Sequence, residues 1–97
     1  MANAKIGLCT LDLHLPGIAS LKAKRGILKS MLNKLNNRFN VSTSEIDYHD
    51  TWQSAQIAIT TVSNSNRHVE QMLNKAIVFI ETQYPEAMII KQDIEIL

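Results

Sequence analysis

The chain has 97 residues and a mass of 10.9 kDa, which is enough for one hydrophobic core and one domain over residues 1–97. Hydrophobic residues make up 45% and charged residues 20%, which excludes a disordered chain. A net charge of +1 indicates neither a nucleic-acid nor a membrane partner. The only cysteine, Cys9, excludes a disulfide framework and a cysteine-based zinc cluster. We expect a cytoplasmic protein without a spanning helix or signal sequence, because the apolar runs are short.

The first half of the chain predicts a strand followed by a helix. Between Lys5 and Leu15 apolar residues alternate with polar ones, which is the period of a half-buried strand. Pro16 then breaks the pattern, and the Ser20 hydroxyl is placed to cap a helix. Apolar residues recur at helical spacing as far as Phe39, where we expect this helix to end.

The second half predicts a hairpin, a helix and a last strand. Residues 40–48 and 53–62 are rich in β-branched or alternating apolar residues, with a polar corner between them. A second amphipathic stripe includes Val69 and Ile80 and should stop before Pro85. Residues 88–96 then read as the closing strand. The order β-α-β-β-α-β predicts a ferredoxin-like α+β fold, in which a four-stranded antiparallel sheet carries both helices on one face.

The near-zero net charge hides an asymmetry along the chain. Residues 13–44 contain six basic residues and no acidic residue. Several of them share one edge of the first helix or lie in its first turns, where the helix dipole disfavours positive charge. Free backbone amides at a helix start can bind an anion together with nearby cations. Positive charges at this unfavourable position therefore indicate a phosphate-binding site. The predicted anion-binding residues are Ser20, Lys22, Lys24, Arg25, Lys29 and Arg67.

Arg67 belongs to this set because of an expectation about topology. If the two central strands run parallel, both helices begin at the same edge of the sheet, and Arg67 and His68 come near Ser20 and Lys22. The ordinary alternative is a solvated basic face neutralised by acidic residues of the same chain, such as Glu45.

Two stretches carry a resemblance to a known family. The first includes His14, Leu15, Pro16, Gly17, Ser20, Leu21, Lys22, Lys24, Arg25, Leu28, Lys29 and Ser30. The second includes Arg38, Phe39, Asn40, Val41, Ser42, Glu45, Asp47, Asp50, Trp52, Gln53, Ala55, Val62, Ser63 and Asn64. Together they resemble the bacterial YlxP-like family of unknown function, and the likeness covers nearly the whole chain.

The resemblance implies a ferredoxin-like domain without an established activity. Genes of the family often lie beside those for translation initiation and ribosome maturation factors, which is an association that points toward ribosomal RNA. The sequence departs from its relatives at Gly26, where another cation is usual, and at Ser65, where aspartate is frequent. The departure at Gly26 reduces the number of cations on the first helix.

Several chemistries find little support in the sequence. The central strands lack the exposed aromatic residues on which RNA-binding sheets stack bases, so any RNA contact should be to phosphates. The segment from His14 to Ser20 lacks the arginine of an acylphosphatase loop. Asp47, His49 and Asp50 are better explained as turn residues than as metal ligands. We therefore expect no catalytic residues, no cofactor and no metal, and no enzymatic activity.

A different class of function stays open, because the sheet face without helices and the two edge strands could join chains. Leu8 and Val62 are expected on that open face, and Val78 opposite the apolar stripe of the second helix also favours an interface. Trp52 could be an interface hot spot, although we favour packing at the hairpin.

The leading prediction is a non-enzymatic protein that binds structured RNA, such as ribosomal RNA, through the basic first helix. The alternative is a protein adaptor or homodimer that uses the open sheet face or the edge strands.

Overall fold

The computed structural model describes residues 3–97, which form a four-stranded sheet with two helices. The elements are β1 (Lys5–His14), α1 (Leu21–Arg38), β2 (Ser42–Asp47), β3 (Ser54–Ser63), α2 (Asn66–Gln83) and β4 (Met88–Ile96). This order confirms the predicted β-α-β-β-α-β arrangement, and each predicted boundary lies within a few residues of the observed one. Within residues 3–97, no helix has the length and apolar character needed to cross a membrane.

The sheet has the strand order β2-β3-β1-β4, and all neighbouring strands are antiparallel. The two long strands β1 and β3 therefore occupy the centre, and β2 and β4 form the edges. This is the ferredoxin-like α+β arrangement expected from the sequence.

Alternation along the central strands separates the two faces of the sheet. In β1 the side chains of Cys9, Leu11 and Leu13 are fully or almost fully buried against the helices. The residues between them, such as Thr10 and Asp12, lie on the open face and are only half-buried. The core is therefore a single layer between the sheet and the inward sides of α1 and α2.

Gly7 allows α2 to approach β1 closely. A Cβ atom added at Gly7 would collide with Cγ1 of Val69, and it would lie 2.9 Å from Cδ1 of Leu73. Both of these residues are fully buried on α2. The absence of a side chain at Gly7 thus sets the depth at which α2 sits on the sheet.

The expectation that the two central strands run parallel is wrong. In the antiparallel pairing of β1 with β3, Lys5 lies opposite Ser63 and His14 lies opposite Ser54. The chain therefore enters α1 from the His14 end of the sheet and enters α2 from the Lys5 end. Ten strand residues at about 3.3 Å each place the two helix starts roughly 30 Å apart. The reason is the hairpin, which reverses β3 relative to β2.

Candidate anion-binding surface

The helix α1 begins as the sequence predicts, with Ser20 as its N-cap. The Ser20 hydroxyl accepts a hydrogen bond of 3.1 Å from the backbone amide of Ala23. No acidic residue stands in the first turn. The positive end of the helix dipole is therefore not compensated by a carboxylate on the helix itself.

Three cations project from the outward side of α1. Lys22, Arg25 and Lys29 are all exposed, and they follow one another at positions i, i+3 and i+7. We call this group the outer edge of α1. The outer edge lies on the side of β2, because Asn36, which continues the same edge, accepts a hydrogen bond of 3.0 Å from the hydroxyl of Thr43.

Within residues 3–97, the outer edge makes no ion pair. The ion pairs of the described chain are those of Lys24 and His49 with Glu45, and none includes Lys22, Arg25 or Lys29. The ordinary alternative, in which carboxylates of the same chain neutralise the basic face, therefore does not apply to these three residues.

Lys24 does not belong to this surface, which corrects the sequence prediction. Its side chain is completely buried. The Nζ atom donates hydrogen bonds to the carbonyl oxygens of Tyr48 at 2.6 Å, Ser54 at 3.1 Å and His49 at 3.4 Å. It also lies 3.5 Å from a carboxylate oxygen of Glu45. Lys24 is thus a structural cation that fixes the corner between β2 and β3.

A signal for this burial exists in the sequence. Lys24 precedes the buried residues Leu28, Met31 and Leu35 by four, seven and eleven positions, which places it on the apolar stripe of α1. Glu45 pairs with Ile57, a core residue, and so lies on the helix side of the sheet. A cation and an acid that both face the core are expected to meet, because an unpaired buried charge is very unfavourable.

The last two cations of α1 pack on aromatic rings. The Lys34 ammonium lies 5.7 Å from the centroid of the Tyr84 ring, and the Arg38 guanidinium lies 5.4 Å from the centroid of the Phe79 ring. Such contacts are attractive cation–π interactions. Arg38 and Phe79 also line an open cleft of about 450 Å³ between α1 and α2. The six cations of residues 13–44 therefore divide into an outer edge, one buried lysine and two ring-packed side chains.

Arg67 lies away from the outer edge of α1, which is the second correction. It is exposed in the first turn of α2, at the end of the sheet where β1 begins. The same geometry separates His68 from His14, whose Nδ1 lies 3.1 Å from the carbonyl oxygen of Gln53. The two helix starts do not form one anion site.

The residues predicted for an interface lie in different places. Val62 is 54% exposed on the open face, where it pairs with Ile6, and Leu8 is half-buried on that face. Trp52 is 52% exposed in the turn before β3, so packing at the hairpin does not account for most of its surface. Val78 is exposed on α2, beside the cleft.

Two further observations concern the thiol and the possible metal ligands of the described chain. Burial raises the pKa of the Cys9 thiol to about 11, and the nearby carboxylate of Asp93 adds to this effect. The thiol is therefore protonated at neutral pH and weakly nucleophilic. Among residues 3–97, no group of three histidine, cysteine or acidic side chains is placed to hold a metal ion.

Comparisons with known proteins extend over most of the chain. Residues 6–94 match the family described as "Protein of unknown function (DUF503)". The chain is similar to the uncharacterized protein YlxP of Bacillus subtilis strain 168, with 41% identity over 81 residues. The matched region is 84% of this chain and 87% of that relative.

Proposed function

The chain belongs to the DUF503 family, and we propose that it is a cytoplasmic, non-enzymatic protein that binds structured RNA, ribosomal RNA in particular, through phosphate contacts of α1. The proposal is narrower than the sequence predicted, because only Lys22, Arg25 and Lys29 carry it. Ser20 contributes by capping the helix that holds them.

The observation that carries the proposal is the unpaired state of the outer edge. Three exposed cations share one side of a helix, and within the described residues no carboxylate lies within ion-pair distance of them. At 1.5 Å of rise per residue, Lys22 and Lys29 span about 10 Å along the helix axis. A row of cations whose spacing is fixed by the helix suits the regularly spaced phosphates of a folded RNA.

The surroundings favour recognition of phosphates and shape over recognition of bases. Asn33 and Asn36, which follow the outer edge along α1, are polar and exposed. On the open face of the sheet, the central strands carry Thr10, Asp12 and Gln56 instead of aromatic residues. Phosphate contacts position a protein on nucleic acid but carry no sequence information. We therefore expect binding with low sequence selectivity.

The decisive experiment is the salt dependence of binding to a folded ribosomal RNA fragment. Each phosphate contact contributes roughly 0.7 to 0.9 to the slope of log K against log salt. The variant with both Lys22→Glu and Lys29→Glu loses two such contacts and should therefore reduce the slope by about 1.5 in total.

A matched control changes the same number of charges elsewhere. Arg67→Glu combined with Lys75→Glu lowers the net charge equally, but both residues are exposed on α2. If the control reduces the slope as much as the α1 variant does, only total charge matters and the proposed site is wrong. If both slopes equal that of the wild type, the RNA proposal itself is wrong.

A protein-binding function is the second candidate, and a specific observation favours it. Ile6 and Val62 are directly opposite each other on the open face and are 43% and 54% exposed. If a protein partner covers this apolar pair, Leu8→Asp beside it should abolish association, and charge reversal on α1 should leave association unchanged.

A further inference from the structure

The strand β4 is a long edge with an open outer side. It has nine residues and pairs with β1 on its inner side, and no strand among residues 3–97 pairs with its outer side. Unpaired backbone amides and carbonyls on such an edge are a template for another strand. An exposed edge of this length can therefore accept a strand from another chain.

Two isoleucines make this edge unusual. Ile90 is 64% exposed and Ile94 is 37% exposed. Ile94 and Gln92 lie on the helix side of the sheet, because they pair with the buried residues Cys9 and Leu11. Helix α2 covers β1 and β3 but leaves this part of β4 accessible to solvent. Two exposed isoleucines, with the polar Gln92 between them, thus lie along the free edge.

The open side of the same strand carries three charged residues, Lys91, Asp93 and Glu95. Lys91 pairs with Asp12 of β1, and Asp93 pairs with Thr10, so both side chains lie on the open face. Lys91 and Asp93 stand one position before and one position after Gln92. Their charges are therefore arranged symmetrically, with opposite sign, about the middle of the strand.

Sheet geometry restricts how a second β4 could be added. In an antiparallel pair, residues that lie opposite each other point to the same face of the sheet, whereas successive residues of one strand point to opposite faces. A residue can therefore not lie opposite its own sequence neighbour in the second copy. The two-fold axis must instead pass through a position where a residue lies opposite the same residue of the second copy. An axis at Lys91 would oppose two lysines, and an axis at Asp93 would oppose two aspartates. Like charges directly opposite each other are unfavourable.

We propose that β4 pairs with β4 of a second copy of this chain, antiparallel and about a two-fold axis at Gln92. In this register Lys91 of each copy lies opposite Asp93 of the other, and Ile90 of each copy lies opposite Ile94 of the other. The pairing unites two sheets into one of eight strands. It covers the exposed isoleucines and forms two cross-strand ion pairs at once.

The length of the new ladder follows from the irregularity of β4. The register with β1 shifts between Leu13 and Asp12, where Ile90 is the extra residue of a bulge. A bulge interrupts regular pairing. The intermolecular ladder is therefore centred on residues 90–94 and ends near Ile90, which corresponds to a small interface and a weak, concentration-dependent dimer.

Dimer formation through β4 does not depend on RNA binding. The outer edge of α1 lies on the β2 side, at the opposite rim of the sheet from β4. Dimer formation would leave both outer edges accessible, so substitutions at one rim should not change the behaviour of the other.

Charge swaps measured by sedimentation velocity up to about 1 mM protein test the register. Lys91→Asp places an aspartate opposite Asp93, and Asp93→Lys places a lysine opposite Lys91, so each single variant should self-associate at least about tenfold more weakly. The chain with both substitutions should recover wild-type association. An equimolar mixture of the two single variants should form the heterodimer in preference to either homodimer.

Cross-linking provides a second readout that does not depend on affinity. The Gln92→Cys variant should form a covalent dimer on mild oxidation, because paired Cβ atoms at the axis lie about 5 Å apart. Glu95→Cys is the matched control, since position 95 lies far from its own copy in this register. The native thiol of Cys9 is buried and should not react.

Three results would overturn the inference. A wild-type chain that stays monomeric over the whole concentration range excludes the dimer. A double charge swap that associates as weakly as the single variants excludes the register. Equal cross-linking of the Gln92→Cys and Glu95→Cys variants would show that the covalent dimer reflects random collision.

Discussion

Two parts of the helix α1 show opposite uses of the same residue type. Lys24 is fully buried and bonded to three backbone carbonyls and one carboxylate, whereas Lys22 and Lys29 are exposed and unpaired within the described chain. Lys24 and Lys22 are only two positions apart. A helix turns about 100° per residue, so two positions separate the inward side from the outward side.

The comparison shows that a count of cations does not give a binding surface. The ammonium of Lys24 is already surrounded by the oxygen atoms that an external anion would have to replace. The three cations of the outer edge would lose only contacts with water when they bind an anion. Before a ligand is inferred from a cluster of basic residues on a helix, the residues on the inward side should therefore be separated from those on the outward side.

The largest expected effect comes from removal of the buried cation. Lys24→Ala leaves Glu45 and the carbonyls of Tyr48 and Ser54 without their partner, so we expect the free energy of unfolding to fall by about 3 to 5 kcal/mol. Lys29→Ala on the outer edge should change it by less than about 0.5 kcal/mol. Chemical denaturation of both variants measures the difference, and equal effects would contradict the distinction between the two positions.

The second test asks how much of that loss comes from the ion pair. Replacement of both partners, by Lys24→Met with Glu45→Leu, removes the uncompensated carboxylate and should recover about 1 to 3 kcal/mol relative to Lys24→Met alone. Recovery should be incomplete, because the carbonyls at the β2–β3 corner stay without a donor. A double-mutant cycle measured by urea unfolding gives the coupling, and additive effects would show that Lys24 acts through the carbonyls alone.

The N-cap contributes to both parts of α1, because it fixes the first turn. Ser20→Ala removes the acceptor for the Ala23 amide and should lower the free energy of unfolding by about 1 kcal/mol. Ser20→Asp keeps an acceptor and adds a favourable negative charge, so it should be at least as stable as the wild type. Thermal unfolding followed by circular dichroism distinguishes the two variants. A Ser20→Ala protein as stable as the wild type would show that the cap is dispensable.

The smallest effect has the opposite sign. Lys22→Glu places an acidic residue in the first turn of α1, where the helix dipole favours it, and should raise the free energy of unfolding by about 0.3 to 1 kcal/mol at low salt. The same change should weaken RNA binding if the outer edge contacts phosphates. A cation at a position where it reduces stability is the pattern expected of a binding site. A destabilised Lys22→Glu variant would contradict this account.

Most of the fold follows from local pattern. Alternation in residues 5–15 and 53–62 and the two helical stripes identify the strands and helices, since burial of one face imposes the period. Ser20 was identifiable as a cap because few residue types accept a hydrogen bond from the first turn. The apolar pattern of residues 88–96 predicts the closing strand with the bounds Met88–Ile96 that the structure shows.

The candidate site was only partly predictable. Lys22, Arg25 and Lys29 lie together on the outer edge as their spacing implies. The charge of Lys24 predicts a surface position, whereas its spacing from Leu28 places it on the buried stripe. The expectation that Arg67 lies beside α1 requires parallel central strands, which the predicted antiparallel sheet already excludes.

The sequence by itself determined the succession of strands and helices, the helix cap and the excess of cations in residues 13–44, because these depend on periodicity and on composition. The tertiary structure decided which cations are available to a ligand and at which end of the sheet each helix begins, because both depend on the pairing of distant segments. A lysine becomes a core residue or a surface residue according to the oxygen atoms that folding brings around it.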